Sequence, residues 1–175
     1  MGNARLPRPV KPFLAALFRP AVDPDEFLET IKDVFGQIDY SYGPIPFRFS
    51  EYYKDEMGSG LFKSYYTFQT LMDREILSEK KKFTNGLERR SLILGKRSIN
   101  LDPGYLAPDK LVLATTKDFY HRIYLSGGIY GEVTLHFRKG AFRYFSWTYP
   151  DYKDPAFLDF LTTARAGYMH EVREQ

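Results

Sequence analysis

The stretch from Ser98 to Tyr152 constrains the fold more than any other. Lys110 to Thr116 is followed by His121-Arg122-Ile123-Tyr124-Leu125, a Ser126-Gly127-Gly128 turn and Ile129 to Phe137. The stretch closes on Trp147-Thr148-Tyr149-Pro150-Asp151-Tyr152. Short β-branched and aromatic runs separated by glycine turns select strands. The stretch therefore reads as a β-meander with polar groups crowded at its rims. Leu111 to Ala114 is continuously apolar, as in a central strand covered on both faces.

Side chains alternate faces along a strand, so the hairpin register can be read from parity. A two-residue Gly127-Gly128 turn sets Ile123 against Glu132, a poor match. A three-residue Ser126-Gly127-Gly128 loop sets Arg122 against Glu132, Ile123 against Gly131, Tyr124 against Tyr130 and Leu125 against Ile129. The spacing thus predicts the three-residue loop and a cross-strand Arg122–Glu132 pair. Odd positions build the core, and even positions form a strip from Arg122 to His136. A two-residue turn at Lys139-Gly140 sets Phe142 against Phe137 and Tyr144 against Leu135.

Upstream, Met1 to Lys11 is Pro-rich and basic and reads as a flexible arm, leaving one domain over 12–175. Phe13 to Phe18 reads as a buried strand. Asp23-Pro24-Asp25-Glu26 starts a helix, with Asp23 as the cap and Pro24 in the first turn; Gly36 suits its exit. Pro44 and Pro46 mark a bent or edge strand. Glu51, Asp55 and Glu56 lie in a polar loop, and Leu61 to Thr70 reads as a strand. Asp73 to Arg90 reads as helix broken at Thr84-Asn85-Gly86. From Arg74 to Arg97 there are eight basic residues against three acidic ones, which suits a solvated helix face or an anion-facing patch. Asp154 to Gln175 reads as a last helix. The order suggests a single α+β domain with an antiparallel-rich mixed sheet, helices on one face and an embellished ferredoxin-like layout.

Composition removes several function classes. The chain has no cysteine, so disulfides, thiolate metal sites and cysteine nucleophiles are excluded. A net charge of +3 is too small to argue for nucleic acid by itself. No apolar run reaches the roughly 18 residues of a membrane span. The N-terminus has neither an apolar signal region nor a myristoylation pattern. The expected setting is cytoplasmic, with no membrane partner. The aromatic content is high, at 17%, which favours strands and stacking surfaces.

Asn100-Leu101-Asp102-Pro103-Gly104-Tyr105, Val112 to Lys117, His121 to Tyr124, Gly128-Ile129-Tyr130, Glu132 to Leu135 and Trp147 to Tyr152 together resemble a bacterial and archaeal family known as domain of unknown function 4416. Tyr52-Tyr53 with Glu56-Met57-Gly58, and Thr84-Asn85 with Glu88, are similar to its earlier signatures. Some members carry the label "GTP-binding protein". The resemblance covers nearly the whole chain and implies a stand-alone protein of about this size; it supplies no activity. A phosphate loop needs G-x-x-x-x-G-K-[ST]. The nearest stretch is Gly58 to Ser64, where Phe62 replaces the second glycine, and Thr116-Lys117-Asp118 lacks the rest of a guanine-reading motif. P-loop GTPase machinery is not expected.

Asp102-Pro103-Gly104 reads as a turn that could aim Asp102 and Tyr105 into a cleft. Asp151 either lines such a cleft or helps to start the last helix. His121 beside Arg122 is the candidate general acid or base, with Asp102 and Glu132 as further catalytic candidates. Arg122, Lys117, Tyr105, Asn85, Glu88 and Asp151 are candidate ligand contacts. An oxygen-only Mg²⁺ site from Asp102, Glu132 and Asp151 is compatible with these residue types. Parity places His121 and His136 on opposite faces, a poor metal pair. These groups suit a binder of, or enzyme for, a phosphorylated or nucleotide-like small molecule. The alternatives are an RNA-binding module, suggested by basic residues among aromatics, and a non-enzymatic adaptor or oligomer subunit with exposed aromatics.

Overall fold

A computed structural model describes residues 2–49 and 53–174. Tyr52 and Glu51 lie outside the described residues. The strands are β1 (Lys11–Phe18), β2 (Ile38–Pro46), β3 (Phe62–Phe68), β4 (Leu92–Ile93), β5 (Lys96–Arg97), β6 (Ile99–Leu106), β7 (Lys110–Thr115), β8 (Arg122–Ser126), β9 (Ile129–Arg138) and β10 (Ala141–Tyr144). The helices are α1 (Pro24–Phe35), α2 (Lys54–Met57), α3 (Leu77–Arg90) and α4 (Pro155–Glu174). The main sheet has the order β10-β9-β7-β6-β1-β3-β2, with β8 also paired to β9 and β4-β5 a separate hairpin.

Each pairing among the described strands is antiparallel, so the sheet is not mixed. Because β3 lies between β1 and β2, β1-α1-β2 is a split β-α-β unit. β3-α3-β6 is a second one, with β1 between its strands. The two interlocked units are the ferredoxin-like layout, and β7 to β10 extend it on the β6 side. No described helix is long and apolar enough to cross a membrane.

Residues of β1 show why the helices occupy both faces rather than one. All eight are buried, and a strand buried on two sides needs two covering layers. Leu14, Ala16 and Phe18 pack with Phe27, Leu28 and Ile31 of α1 and Leu87 of α3. Phe13 and Ala15 point the other way, onto Phe157, Leu161 and Ala164 of α4. The expected caps form: the Asp23 carboxylate accepts from Asp25 N at 3.0 Å, and Gly36 exits at φ +91°. Asp154, not Asp151, starts α4 by accepting from Ala156 N and Phe157 N.

Four expectations need correction. The arm stops before Val10, which exchanges two backbone hydrogen bonds with Met72, and Lys11 is a buried strand residue bonded to Asp39 and Glu171. Helix α3 runs unbroken through Thr84-Asn85-Gly86; Thr84 Oγ1 donates back to the Lys81 carbonyl at 3.1 Å. Asp102-Pro103-Gly104 lies within β6, where Leu14 faces Pro103. The meander is interrupted, because β9 lies between β7 and β8.

The hairpin register holds at Arg122↔Glu132, Ile123↔Gly131 and Tyr124↔Tyr130. Ser126, not Leu125, then faces Ile129 across a two-residue turn, with Gly127 and Gly128 at φ +55° and +81°. An irregularity at Leu125 reconciles the short turn with the favourable register. The β9-β10 register is as the two-residue turn requires.

Parity nevertheless fails in two places. Ile123 and Leu125 are exposed. In β9 the pairing slips between Leu111↔Leu135 and Val112↔Val133, so Thr134 is a bulged extra residue. Val133 therefore packs with the cluster containing Val112 and Ala114, while Leu135 packs on the α4 side. Thr148 Oγ1 donates to the Thr134 carbonyl and Trp147 Nε1 to that of Val133, so the turn after β10 satisfies the bulge.

Gly104 sits between β1 and β7, and a Cβ there would meet Val112 O at 2.2 Å. Backbone cannot yield as a flexible side chain can. Gly104→Ala is expected to destabilise by about 2–3 kcal/mol, read as a lower denaturation midpoint at unchanged m-value.

Candidate functional site

The sheet opens between β6 and β7, and the opening makes the site. Their pairing covers only Gly104↔Leu113, Tyr105↔Val112 and Leu106↔Leu111. Pro103 has no N–H to offer the next rung, so the N-terminal half of β6 becomes an edge. Side chains of α3 satisfy that edge. Glu88 Oε1 accepts from Leu101 N at 2.8 Å, and Lys81 Nζ donates to Leu101 O at 2.8 Å. Residues from the α3 side thereby reach the α4 side of the sheet.

The result is a cleft of about 720 Å³ beyond the end of α4's coverage. Its lining includes Lys63 from β3, Asn100 and Asp102 from β6, Thr115 to Lys117 after β7, Arg122 and Glu132 from the hairpin, and Asp151 and Tyr152 before α4. Asn85 and Glu88 also line it, with Lys81 and Arg97. Phe49, Phe119 and Tyr149 stand at it as exposed aromatics.

The charges are organised as small networks. Asp151 Oδ2 accepts from Lys63 Nζ and from Tyr65 Oη, the latter at 2.9 Å. The Lys63 ammonium lies over the rings of Tyr152, Phe47 and Tyr65. Asp102 takes Lys81 Nζ at 3.1 Å and Asn100 Nδ2 at 2.8 Å. Arg97 joins Glu88 at 3.0 Å to Glu56 at 2.9 Å, tying the β4-β5 hairpin and α2 to α3. Glu132 Oε2 accepts from Arg122 Nε at 2.8 Å and contacts His121 Nε2 at 3.0 Å. The expected cross-strand Arg122–Glu132 pair is present and buried.

Burial pushes the Glu88 carboxyl above the ordinary glutamate range, with Lys81 and the Leu101 amide offsetting part of the shift. Burial pushes Asp102 the same way, but Lys81, Lys63 and the hydrogen bonds from Lys81 and Asn100 outweigh it and hold it below the usual range. Burial and nearby carboxylates push the Tyr53, Tyr65 and Tyr152 hydroxyls up, and Tyr65 donates to Asp151. The buried Tyr152 hydroxyl has no partner among the described residues.

The family model described as "Domain of unknown function (DUF4416)" matches residues 8–168. The chain belongs to this family. No curated protein and no solved structure matches it. The matched span of this DUF4416 member runs from before β1 to Tyr168 in α4, and so holds every residue of the cleft.

Most of the candidates converge in this DUF4416 cleft: Asn85, Glu88, Asp102, Lys117, Arg122, Glu132 and Asp151 all line it. Two do not. Tyr105 faces the opposite side, packed with the Val112 cluster and under Arg74. His121 stands outside the lining, with Nε2 on Glu132 and its ring stacked on Trp147 at 5.1 Å. His136 joins the same aromatic row through Phe145; the Thr134 bulge upsets the parity that separated the two histidines. Asp102, Glu132 and Asp151 are each matched to a different cation. Among the described residues, no three His, Asp or Glu are grouped to hold a metal.

Lys63, Lys81 and Arg97 were missed as site residues. Lys63 falls in an aromatic strand, and Lys81 is one of three consecutive lysines on a helix. Only the split of β6 from β7 brings Lys81 through the sheet.

Proposed function

We propose that this protein binds a phosphorylated or nucleotide-like small molecule in the cleft between β6 and β7. The observation that supports this most directly is the convergence of Lys117, Arg122 and Arg97 with four buried or half-buried carboxylates in one cavity of about 720 Å³, a volume within the range of small-molecule sites. Cations there suit phosphate oxygens. Carboxylates suit the N–H groups of a base or amine. Phe49, Phe119 and Tyr149 offer flat surfaces at which a planar ring can stack. The recessed site supports this reading over RNA, which needs an open, basic track.

A panel of nucleotides and sugar phosphates, with and without Mg²⁺, tests it by thermal shift. At least one member is expected to raise Tm in a saturable way, since ligand bound only to the folded state stabilises it by mass action. Lys117→Ala is expected to weaken that ligand by roughly tenfold, as for loss of one charge-assisted contact. The reading fails if no member shifts Tm at millimolar concentration, or if Lys117→Ala and Phe49→Ala both leave the affinity unchanged.

A further inference from the structure

Apart from the half-edge of β6 that α3 covers, the sheet has three edges among the described strands, and they are not protected alike. A bare edge strand is a template for pairing with another chain, so proteins blunt such edges with prolines, bulges, charges or shortness. The β2 edge carries Pro44 and Pro46 and two register irregularities. The β10 edge is four residues long, carries exposed Arg143 and follows exposed Lys139. The β8 edge is five residues long and has one irregularity at Leu125, but it carries no proline and no outward charge. It pairs only with β9 among the described strands. Its single charge, Arg122, is turned inward onto Glu132 and the Lys117 carbonyl.

Hydrophobic exposure concentrates at that edge. Phe119 is 52% exposed, Tyr120 86%, Ile123 72%, Tyr124 57% and Leu125 42%. Taking a large side chain as about 200 Å², these five expose on the order of 600 Å² per chain. Two such patches together give about 1,200 Å², the lower bound of a specific protein interface.

We propose that β8 is the contact of a homodimer, in which it pairs antiparallel with β8 of a second copy. A twofold axis makes one patch serve both partners, and an edge strand running antiparallel to its own copy satisfies that symmetry. The patch is apolar and β8 offers no outward charge, so its complement is another apolar patch, which the second copy supplies. The inference does not rest on the ligand proposed above, although Phe119 borders both the cleft and the patch.

Sedimentation of the full chain across a concentration series tests it. The expected species is about 41 kDa, twice the 20.5 kDa chain. Ile123→Lys and, separately, Tyr120→Lys are expected to raise the dimer dissociation constant at least 100-fold and to match the wild-type Tm at dilutions where both are monomeric, since both side chains are exposed in the monomer and only the dimer's own increment is lost. Tyr144→Lys on the β10 edge is expected to leave the dimer intact. Amide exchange in β8 is expected to slow with concentration, a readout that needs no variant. A monomer at 100 µM, an assembly larger than two, a dimer indifferent to both Ile123→Lys and Tyr120→Lys, or one lost in Tyr144→Lys would each overturn the proposal.

Discussion

Asp151→Ala is expected to be among the most damaging single substitutions, lowering stability by roughly 3–5 kcal/mol, the range for breaking a buried ion pair. The carboxylate is buried and serves two partners, Lys63 Nζ and Tyr65 Oη. Its loss leaves an ammonium enclosed by Phe47, Tyr65 and Tyr152. Those ring faces offset only part of its desolvation, since a cation–π contact contributes about 0.5–2 kcal/mol. For a chain of this size the loss corresponds to a Tm lower by roughly 6–20 °C. Lys63→Met alone leaves Asp151 buried with one hydroxyl donor and is expected to cost a similar amount. The double variant Lys63→Met/Asp151→Ala removes both charges and is expected to recover more than half of the summed loss. A double variant that merely adds the single effects would show that the two groups do not act as a pair.

How much of this was legible beforehand follows from how local each signal is. Asp23-Pro24 and Gly36 act within a few residues, and α1 forms between them. The register around Arg122–Glu132 depends on alternation over five residues, and it holds. The same alternation misleads past Thr134, because the bulge is set by the β7–β9 pairing together with a distant turn. Trp147 and Thr148 bond to its carbonyls from 14 residues away. Asp102-Pro103-Gly104 has turn chemistry in any local reading. It is a strand because β1 pairs along its whole length, and its proline acts by ending the next ladder. Most of the acids and bases of the cleft could be picked by residue type. Their pairing could not, since Lys63 meets Asp151 across 88 positions and Lys81 meets Asp102 through an open seam in the sheet.

That seam makes Glu88 the second test. Glu88→Ala is expected to destabilise by roughly 2–4 kcal/mol: it orphans the buried Leu101 N–H, removes one partner of Arg97 and takes a carboxylate from beside Lys81. Glu88→Gln separates the hydrogen bond from the charge, because the amide oxygen can still accept from Leu101 N. Burial raises the folded-state pKa of Glu88. Between the ordinary glutamate range and that raised value the folded chain therefore holds more proton than the unfolded one. The stability from this group is complete below the unfolded pKa and is lost as pH rises through the folded value. Asp102 runs oppositely. Its depressed folded pKa gives stability that is complete above the ordinary aspartate range and is lost as pH falls through the depressed value. Glu88→Gln is accordingly expected to match the wild type near pH 4, to equal or exceed it at pH 7, and to keep the acid-side loss due to Asp102. Denaturant titrations of both variants from pH 3 to 8 measure each limb. If Gln proves as damaging as Ala at pH 7, the ionised carboxylate rather than its hydrogen bond to β6 holds the seam.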